Sequence, residues 1–377
     1  MRVFIDGLIF GRQRHGGLSR MWAECLDRLP GLGVDLQLLI PWRSDNASLR
    51  RLLAERGKFA HSQRDFFFWP RRIFERTEIR SRILERIYLG KGTQIFHSTY
   101  YSTVNRAGVR KVVTVPDMIL ELFADEFPSR WTRLGIKTKR QALINADAVV
   151  TISEVSKQDI LKMYPSIPEA RIKVIPLGVT QAQPGREADF SQLAVRYRLP
   201  VKSGNYFLFV GQRRGYKNFD LLARLASLPD AQEALFVCVG GEDPGTDRQS
   251  LAARGLGSRF TFIGDVSDDK LRTLYRHARA LIFPSLYEGF GLPLLEAMAH
   301  DCPVLCSDIA VFREVAADTA VYFDPHDPHS LSAAMTALHH SKRQELLRRG
   351  RHNCGRFSWD ESAHALAQLY RSLGAGA

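Results

Sequence analysis

The sequence predicts an α/β protein made of two doubly wound, Rossmann-like domains with parallel sheets facing across a cleft. Three observations carry that prediction. Short apolar strands alternate with helical stretches of about 10–15 residues, the mark of βαβ units. The alternation occurs twice, and each block opens on a strand followed by a glycine-bearing turn. The chain has 377 residues, enough for two cores.

Block one opens with the strand "VFIDGLIF", the turn "RHGGLSR" and the helix-like "RMWAECLDRLP". Strands follow at "VDLQLLIP", "TQIFHST", "KVVTVPD" and "DAVVTIS", and near "IKVIPLG", with helical stretches between them. The polar run 180–192, "TQAQPGREADFSQ", is the linker candidate. Block two reads strand "YFLFVGQ", helix "NFDLLARLASL", strands "ALFVCVGG" and "FTFIGDV", and helix "DDKLRTLYRHA". It continues with strand "ALIFPS", helix "GLPLLEAMAHD", strands "PVLCSD" and "AVYFD", and a helical tail. The domains are therefore expected at 1–180 and 193–357, with 358–377 as a separate closing segment. In such folds ligands sit beyond the carboxyl ends of the strands, against helix N-termini.

Composition narrows the function. With 45% hydrophobic and 25% charged residues the chain is globular, and no run approaches the roughly 18 apolar residues of a membrane span. "MRVFIDGLIF" holds Asp6 and reads as a strand, not a signal peptide. Five scattered cysteines without a CxxC pair predict a reducing, cytoplasmic setting and no zinc or disulfide framework. The net charge of +13 is one-sided: residues 1–180 hold 30 basic and 18 acidic side chains, the remainder 23 and 22. A one-sided positive field suits an anionic partner, although arginine-rich surfaces also simply keep proteins soluble.

The most informative stretch is "LIFPSLYEGFGLPLLEAMAHDCPVLCSD", residues 281–308. Glu288 precedes Gly289-Phe290-Gly291, and Glu296 follows eight positions later inside the helix that starts at about Leu292. Glycines at 289 and 291 let backbone N–H groups approach a ligand. Pro293 suits a first helical turn. The free N–H groups and positive dipole end of that helix favour a phosphate. Glu288 can then accept hydroxyl hydrogens beside the phosphate, and Glu296, about 6 Å along the axis, can grip a ribose diol. That combination describes a nucleotide-sugar; the plainer reading is a capping acid and a solvated glutamate. In "FVGQRRGYKNFD", Arg213 and Lys217 sit on the turn after the first strand of block two, where a diphosphate needs compensating charge. Gly16 and Gly17 could bring backbone to the same phosphate, but "RHGG" lacks both GxGxxG and the Walker lysine.

These residues resemble a known group. "EGFGLPLLE" is similar to the glutamate, seven residues, glutamate pattern of retaining glycosyltransferases of family four, which adopt the GT-B fold. "VGQRRGYKNF" resembles the diphosphate turn of the bacterial branch that builds surface polysaccharides. "HSTYY", "VVTVPDMILELF", "ADAVVTISEVSKQDI" and "FSWDESAHALAQLY" resemble that branch too. The resemblance implies that Glu288 contacts the donor sugar and that the N–H groups of Phe290, Gly291 and Leu292 hold sugar hydroxyls and phosphate. It implies Glu296 on the ribose, Arg213 and Lys217 on the leaving diphosphate, Gly17 approaching from the other domain, and base contacts from backbone near Gly240 and Val266. It implies that 358–377 crosses back onto the first domain. Many relatives carry a histidine before the aspartate of the "TVxDM" turn; here that position is Pro116, and Asp117 is left to touch acceptor or donor. His15 and His97 are placed in cleft-facing loops with structural roles.

The implied reaction moves a sugar from a nucleoside diphosphate to a hydroxyl with retention, the departing phosphate taking the acceptor proton. No DxD pair ends a strand, so metal independence and no cofactor are expected. The branch leans to GDP-mannose, with UDP-sugars open, and to a glycan or polyprenyl-diphosphate-linked acceptor. The stretch 65–92 adds four aromatics, Phe66–Trp69, and the cations Arg71, Arg72, Arg76, Arg80, Arg82, Arg86 and Lys91. Its Ile79, Ile83 and Ile87 face reads as packing on a sheet. The aromatics and arginines read as contact with anionic lipid on the inner face of the cytoplasmic membrane. Two other readings stand beside the transferase: a non-hydrolysing nucleotide-sugar epimerase on the same fold, and a basic nucleic-acid binder. The latter lacks any helix-turn-helix, RNP or zinc pattern, so no nucleic-acid partner is expected.

Overall fold

A computed structural model describes residues 1–41, 44–55, 66–69, 89, 92–181, 188–199, 205–213, 215–241 and 244–375. The chain divides into two compact units, Met1–Gly178 with Ser358–Ala377, and Val179–Phe357.

The first unit holds a seven-stranded sheet: β1 (Arg2–Ile5), β2 (Asp35–Pro41), β3 (Phe66–Trp69), β4 (Ile95–Ser98), β5 (Arg110–Thr114), β6 (Ala148–Thr151) and β7 (Ile172–Val174). Their order is β3-β2-β1-β4-β5-β6-β7, and every pairing is parallel. The strand expected over "VFIDGLIF" stops at Ile5, and Ile9–Arg12 is helical. Asp6 is fully buried and Gly7 turns at φ +51, which breaks the ladder. Helix Gly17–Arg28 starts at the second glycine of the expected turn and buries Leu18, Met21, Trp22 and Leu26. Helix Trp359–Gly374, capped by Ser358, belongs to this unit. Arg28 Nε donates to Asp360 Oδ1 at 2.7 Å, and Arg371 donates to the Leu32 carbonyl at 2.7 Å.

The second unit holds β8 (Tyr206–Val210), β9 (Leu235–Val239), β10 (Phe260–Ile263), β11 (Ala280–Phe283), β12 (Val304–Ser307) and β13 (Val321–Phe323). Their order is β10-β9-β8-β11-β12-β13, again all parallel. Strands buried on both faces read as continuous apolar runs, as "LFVCV" and "ALIF" do. The core of this unit gathers Phe207, Phe209, Phe219, Phe236, Phe260, Ile282 and Leu305.

In each unit the chain starts mid-sheet, winds outward, and returns beside its first strand. The order therefore reverses between β1 and β4, and between β8 and β11. Loops leaving neighbouring strands on either side of such a reversal diverge and open a crevice for ligands. All five cysteines are buried free thiols. Phe66–Trp69, read from sequence as a lipid contact, forms the edge strand of the first sheet, paired with β2 from Leu38 to Pro41. The arginines of 71–86 and Lys91 lie outside the described residues. Among the described residues no helix is long and apolar enough to cross a membrane.

Candidate functional site

The loops after β8 and β11 meet at the reversal point of the second sheet. After β8 the chain makes the turn Gly215–Lys217 and enters helix Asp220–Ala226. After β11 it runs through Pro284–Gly291 into helix Leu292–Ala299. Backbone bonds tie the two loops: Leu286 N–H donates to the Tyr216 carbonyl at 2.7 Å. Asn218, held at φ +54, donates its amide to the carbonyls of Pro284 at 3.1 Å and Pro325 at 2.7 Å.

Lys217 Nζ lies 2.6 Å from Glu288 Oε1, and Ser285 Oγ donates to the same oxygen at 2.8 Å. The lysine also sits 5.3 Å from the Tyr216 ring centre and 5.2 Å from that of Phe283. Gly291 takes φ +102 as the N-cap of helix Leu292–Ala299, with Pro293 in its first turn. A Cβ there would stand 3.0 Å from the Phe312 ring, so both conformation and space call for glycine. The helix's opening N–H groups, at Leu292 and just beyond, thus follow directly on the Lys217–Glu288 pair. One turn on, Glu296 accepts from Tyr275 Oη at 3.2 Å.

Arg213 occupies the same end of the sheet but is deeply engaged. Its side chain is 4% exposed, Nε donates to Asp247 Oδ2 at 2.8 Å, and Nη1 donates to the Gly240 carbonyl. Its guanidinium stands 5.2 Å from the Phe262 ring centre. Arg213 therefore braces the loop that follows β9, where Gly240 sits at φ +85 and donates its N–H to the Ile263 carbonyl at 3.0 Å. Val266 follows β10 on the neighbouring loop. Asp247 comes from helix Gly245–Ala253, which falls where the sequence predicts no element because "EDPGTDRQ" is polar and carries Pro-Gly. Asp247, Ser285, Asn218 and Tyr275 are the site residues that pattern reading missed. The signal for Ser285 and Asn218 was their place inside the two motif loops.

The remaining candidates lie in the first unit. Gly16 caps helix Gly17–Arg28, and Gln13 Oε1 accepts from the Ser19 N–H at 3.1 Å over that end. His15 is exposed. His97 is not in a loop: it lies within β4 and is fully buried. Its Nδ1 is 2.7 Å from Tyr370 Oη and its Nε2 2.9 Å from Thr114 Oγ1, while the Trp22 ring packs edge-on at 4.7 Å. Burial holds its pKa down to about 3, so the ring is neutral. Asp117 accepts from the Ile119 N–H at 3.1 Å, and buried Pro116 takes the Ser156 hydroxyl on its carbonyl at 2.8 Å. Behind Asp117, the fully buried Lys139 bonds Glu121 at 2.7 Å and the Asp117 carbonyl at 3.1 Å. Asp6, another residue the motifs did not flag, ties β1 to β4. Its carboxylate accepts from Leu8 N, Thr99 N, Thr99 Oγ1, Ser98 Oγ and Ser102 Oγ. Among the described residues, no group of three or more His, Cys, Asp or Glu converges as a metal site would.

Residues 15–183 match the model of glycosyltransferase family 4, and residues 196–354 that of glycosyl transferases group 1. The chain belongs to glycosyltransferase family 4. This family 4 chain is 28% identical to the O-antigen chain mannosyltransferase B of Escherichia coli, over 74% of each chain. It is 34% identical to the O-antigen chain mannosyltransferase RfbU of Salmonella typhimurium, over 50% of this chain and 49% of that one. Among solved structures, the sucrose-phosphate synthase of Thermosynechococcus elongatus superposes with a TM-score of 0.74 at 19% identity, covering 100% of this chain and 99% of that one. WaaG, a glycosyltransferase of lipopolysaccharide biosynthesis, gives 0.70 at 18%, covering 98% and 99%. Anabaena HepE, solved with UDP and glucose, gives 0.72 at 15%, covering 98% and 99%. At these identities the likeness is one of fold, and the fold of this family 4 glycosyltransferase is GT-B.

Proposed function

We propose that this glycosyltransferase transfers mannose from GDP-mannose, with retention and without a metal ion, to a saccharide or lipid-linked acceptor in bacterial polysaccharide synthesis. The carrying observation is the joined pair of loops at the β8/β11 reversal: Lys217 beside Glu288, directly before a glycine-opened helix start. The mannose preference is supported by the two mannosyltransferase relatives.

The sugar–phosphate bond breaks with its electron pair going to the diphosphate. Lys217 and the N–H groups of Phe290, Gly291 and Leu292 meet that growing negative charge, the kind of fixed electrostatic support that usually contributes most to catalysis. Glu288 holds a sugar hydroxyl and Glu296 the ribose. The acceptor oxygen bonds to the same face of the sugar carbon, and its proton passes to the departing phosphate oxygen. Arg213 acts mainly through the loop it braces, setting Gly240, and with it the base, in place. Val266 backbone serves the base as well. We also propose, from the resemblance, Gly16 and Gly17 as backbone for a phosphate and Asp117 as an acceptor for a hydroxyl.

The test uses purified protein with GDP-mannose and a polyprenyl-linked saccharide. Wild type should transfer, and Lys217→Ala should lower kcat about 100-fold or more while its melting temperature stays close to wild type. Near-normal turnover in that variant would contradict the role. Turnover of the donor without acceptor, giving an isomerised nucleotide-sugar, would replace the transferase reading with an epimerase.

A further inference from the structure

We propose that Glu288 discriminates the sugar-bearing donor from the bare nucleoside diphosphate by competing with phosphate for Lys217. The inference rests on the donor reading above and adds to it a role in product release.

Lys217 and Glu288 are 15% and 11% exposed, and they meet at 2.6 Å. Water screens such a pair weakly, so its attraction is substantial. Neither partner has far to go. Asn218, next to the lysine, is pinned to the Pro284 and Pro325 carbonyls, and Leu286 is pinned to Tyr216. Ser285 Oγ fixes the carboxylate oxygen that faces the lysine. The phosphate-binding cation is thus already neutralised, by the same carboxylate that is placed to hold the sugar.

A diphosphate that reaches Lys217 must share it with Glu288 or displace it. Either way two anions end up side by side. If the diphosphate carries a sugar, hydroxyl hydrogens enter between them and satisfy the carboxylate. If it does not, Glu288 loses its cation and gains no donor, which is costly for a partly buried charge. The penalty therefore falls on the bare nucleoside diphosphate, which is the reaction's product. After transfer the Lys217–Glu288 pair re-forms and expels it.

Calorimetric titration of GDP and UDP into wild type, Glu288→Gln, Lys217→Ala and the double variant tests this. Glu288→Gln is isosteric and keeps an acceptor for Ser285; Glu288→Ala serves as a second variant should the first melt early. Residues in contact couple by amounts equivalent to about two-fold to 150-fold in an equilibrium constant. The expected result is GDP bound at least about five-fold more tightly by Glu288→Gln, with GDP-mannose bound no more tightly than by wild type. On the Lys217→Ala background the same substitution should change the GDP affinity by less than about two-fold. Unchanged or weaker GDP binding by Glu288→Gln would overturn the proposal. So would tightening that persists without Lys217, since that would reflect only the removal of a negative charge near an anion. Failure of wild type to bind any nucleoside diphosphate would instead sink the donor reading itself.

Discussion

His97 makes the first unit's stability depend on acid in a way that can be calculated. The ring is fully buried in β4, between Tyr370 of the closing helix and Thr114 of β5. Burial penalises its charged form and lowers the pKa from 6.5 to about 3. The folded value lies below the unfolded one, so between these values the unfolded chain binds a proton that the folded chain does not. The stabilisation is complete above about pH 6.5 and is lost as pH falls toward 3. At 1.36 kcal/mol per pKa unit, moving from pH 7 to 4.5 costs on the order of 2 kcal/mol through this one group. Many carboxylates also respond to acid, so the comparison is with His97→Gln, which keeps polar atoms but no titration. Urea unfolding of both proteins at pH 7 and 4.5 should show the wild type losing roughly 2 kcal/mol more than the variant over that step. Equal losses would mean the ring is not held neutral, and would refute the burial argument.

Two further substitutions test the supports of the candidate site. Gly291→Ala forces a side chain into φ +102, ψ +44 and against Phe312, a cost of about 1–2 kcal/mol from conformation alone. Circular dichroism should show a folded protein whose transfer rate has dropped at least about ten-fold; an unaffected rate would separate the helix start from the chemistry. Lys139→Met strands the Glu121 carboxylate, which is 10% exposed, with only the Tyr164 hydroxyl at 2.9 Å. It should cost about 3–5 kcal/mol in denaturant unfolding, and Glu121→Gln on top should recover part of that. Absence of recovery would show that the lysine's packing on Tyr101, at 5.3 Å, matters more than its charge.

The architecture was readable because buried parallel strands are written as uninterrupted apolar runs and the intervening helices as amphipathic ones. Among the described residues, ten strands lie within stretches such as "VDLQLLIP" and "ALIFPS", whose apolar runs need no knowledge of partners, and β1 and β5 start one residue before theirs. The β3 edge strand was not readable as such. "FFFW" beside a cluster of arginines carries no alternation that marks a ladder, and the register against β2 is what places its backbone in one. β1 ends earlier than the sequence predicts, because the apolar run continues past Asp6 while the strand stops at Ile5. The residue that stops it is a carboxylate whose partners, Ser98, Thr99 and Ser102, lie more than 90 positions away.

The same division holds at the site. Glu288, Gly291, Lys217 and Glu296 are visible because one short loop carries each motif. Their mutual arrangement is not, since Lys217 and Glu288 are 71 positions apart and meet only because β8 and β11 are neighbours. Arg213 is read as a phosphate ligand from its charge, its place on the turn after β8 and the resemblance, none of which shows that an acid holds it. Asp247, which holds its Nε, sits on a helix too polar to be recognised. His97 falls inside the expected strand "TQIFHST" yet is placed from sequence in a cleft-facing loop, whereas β4 buries it among Trp22, Thr114 and Tyr370.

The most direct measurement is a crystal structure of the protein with GDP or UDP bound. The pyrophosphate is expected within hydrogen-bonding distance of Lys217 Nζ and the backbone N–H groups of Phe290 to Leu292, with a ribose hydroxyl on Glu296. A pyrophosphate bound away from residues 213–217 and 288–296 would contradict the account.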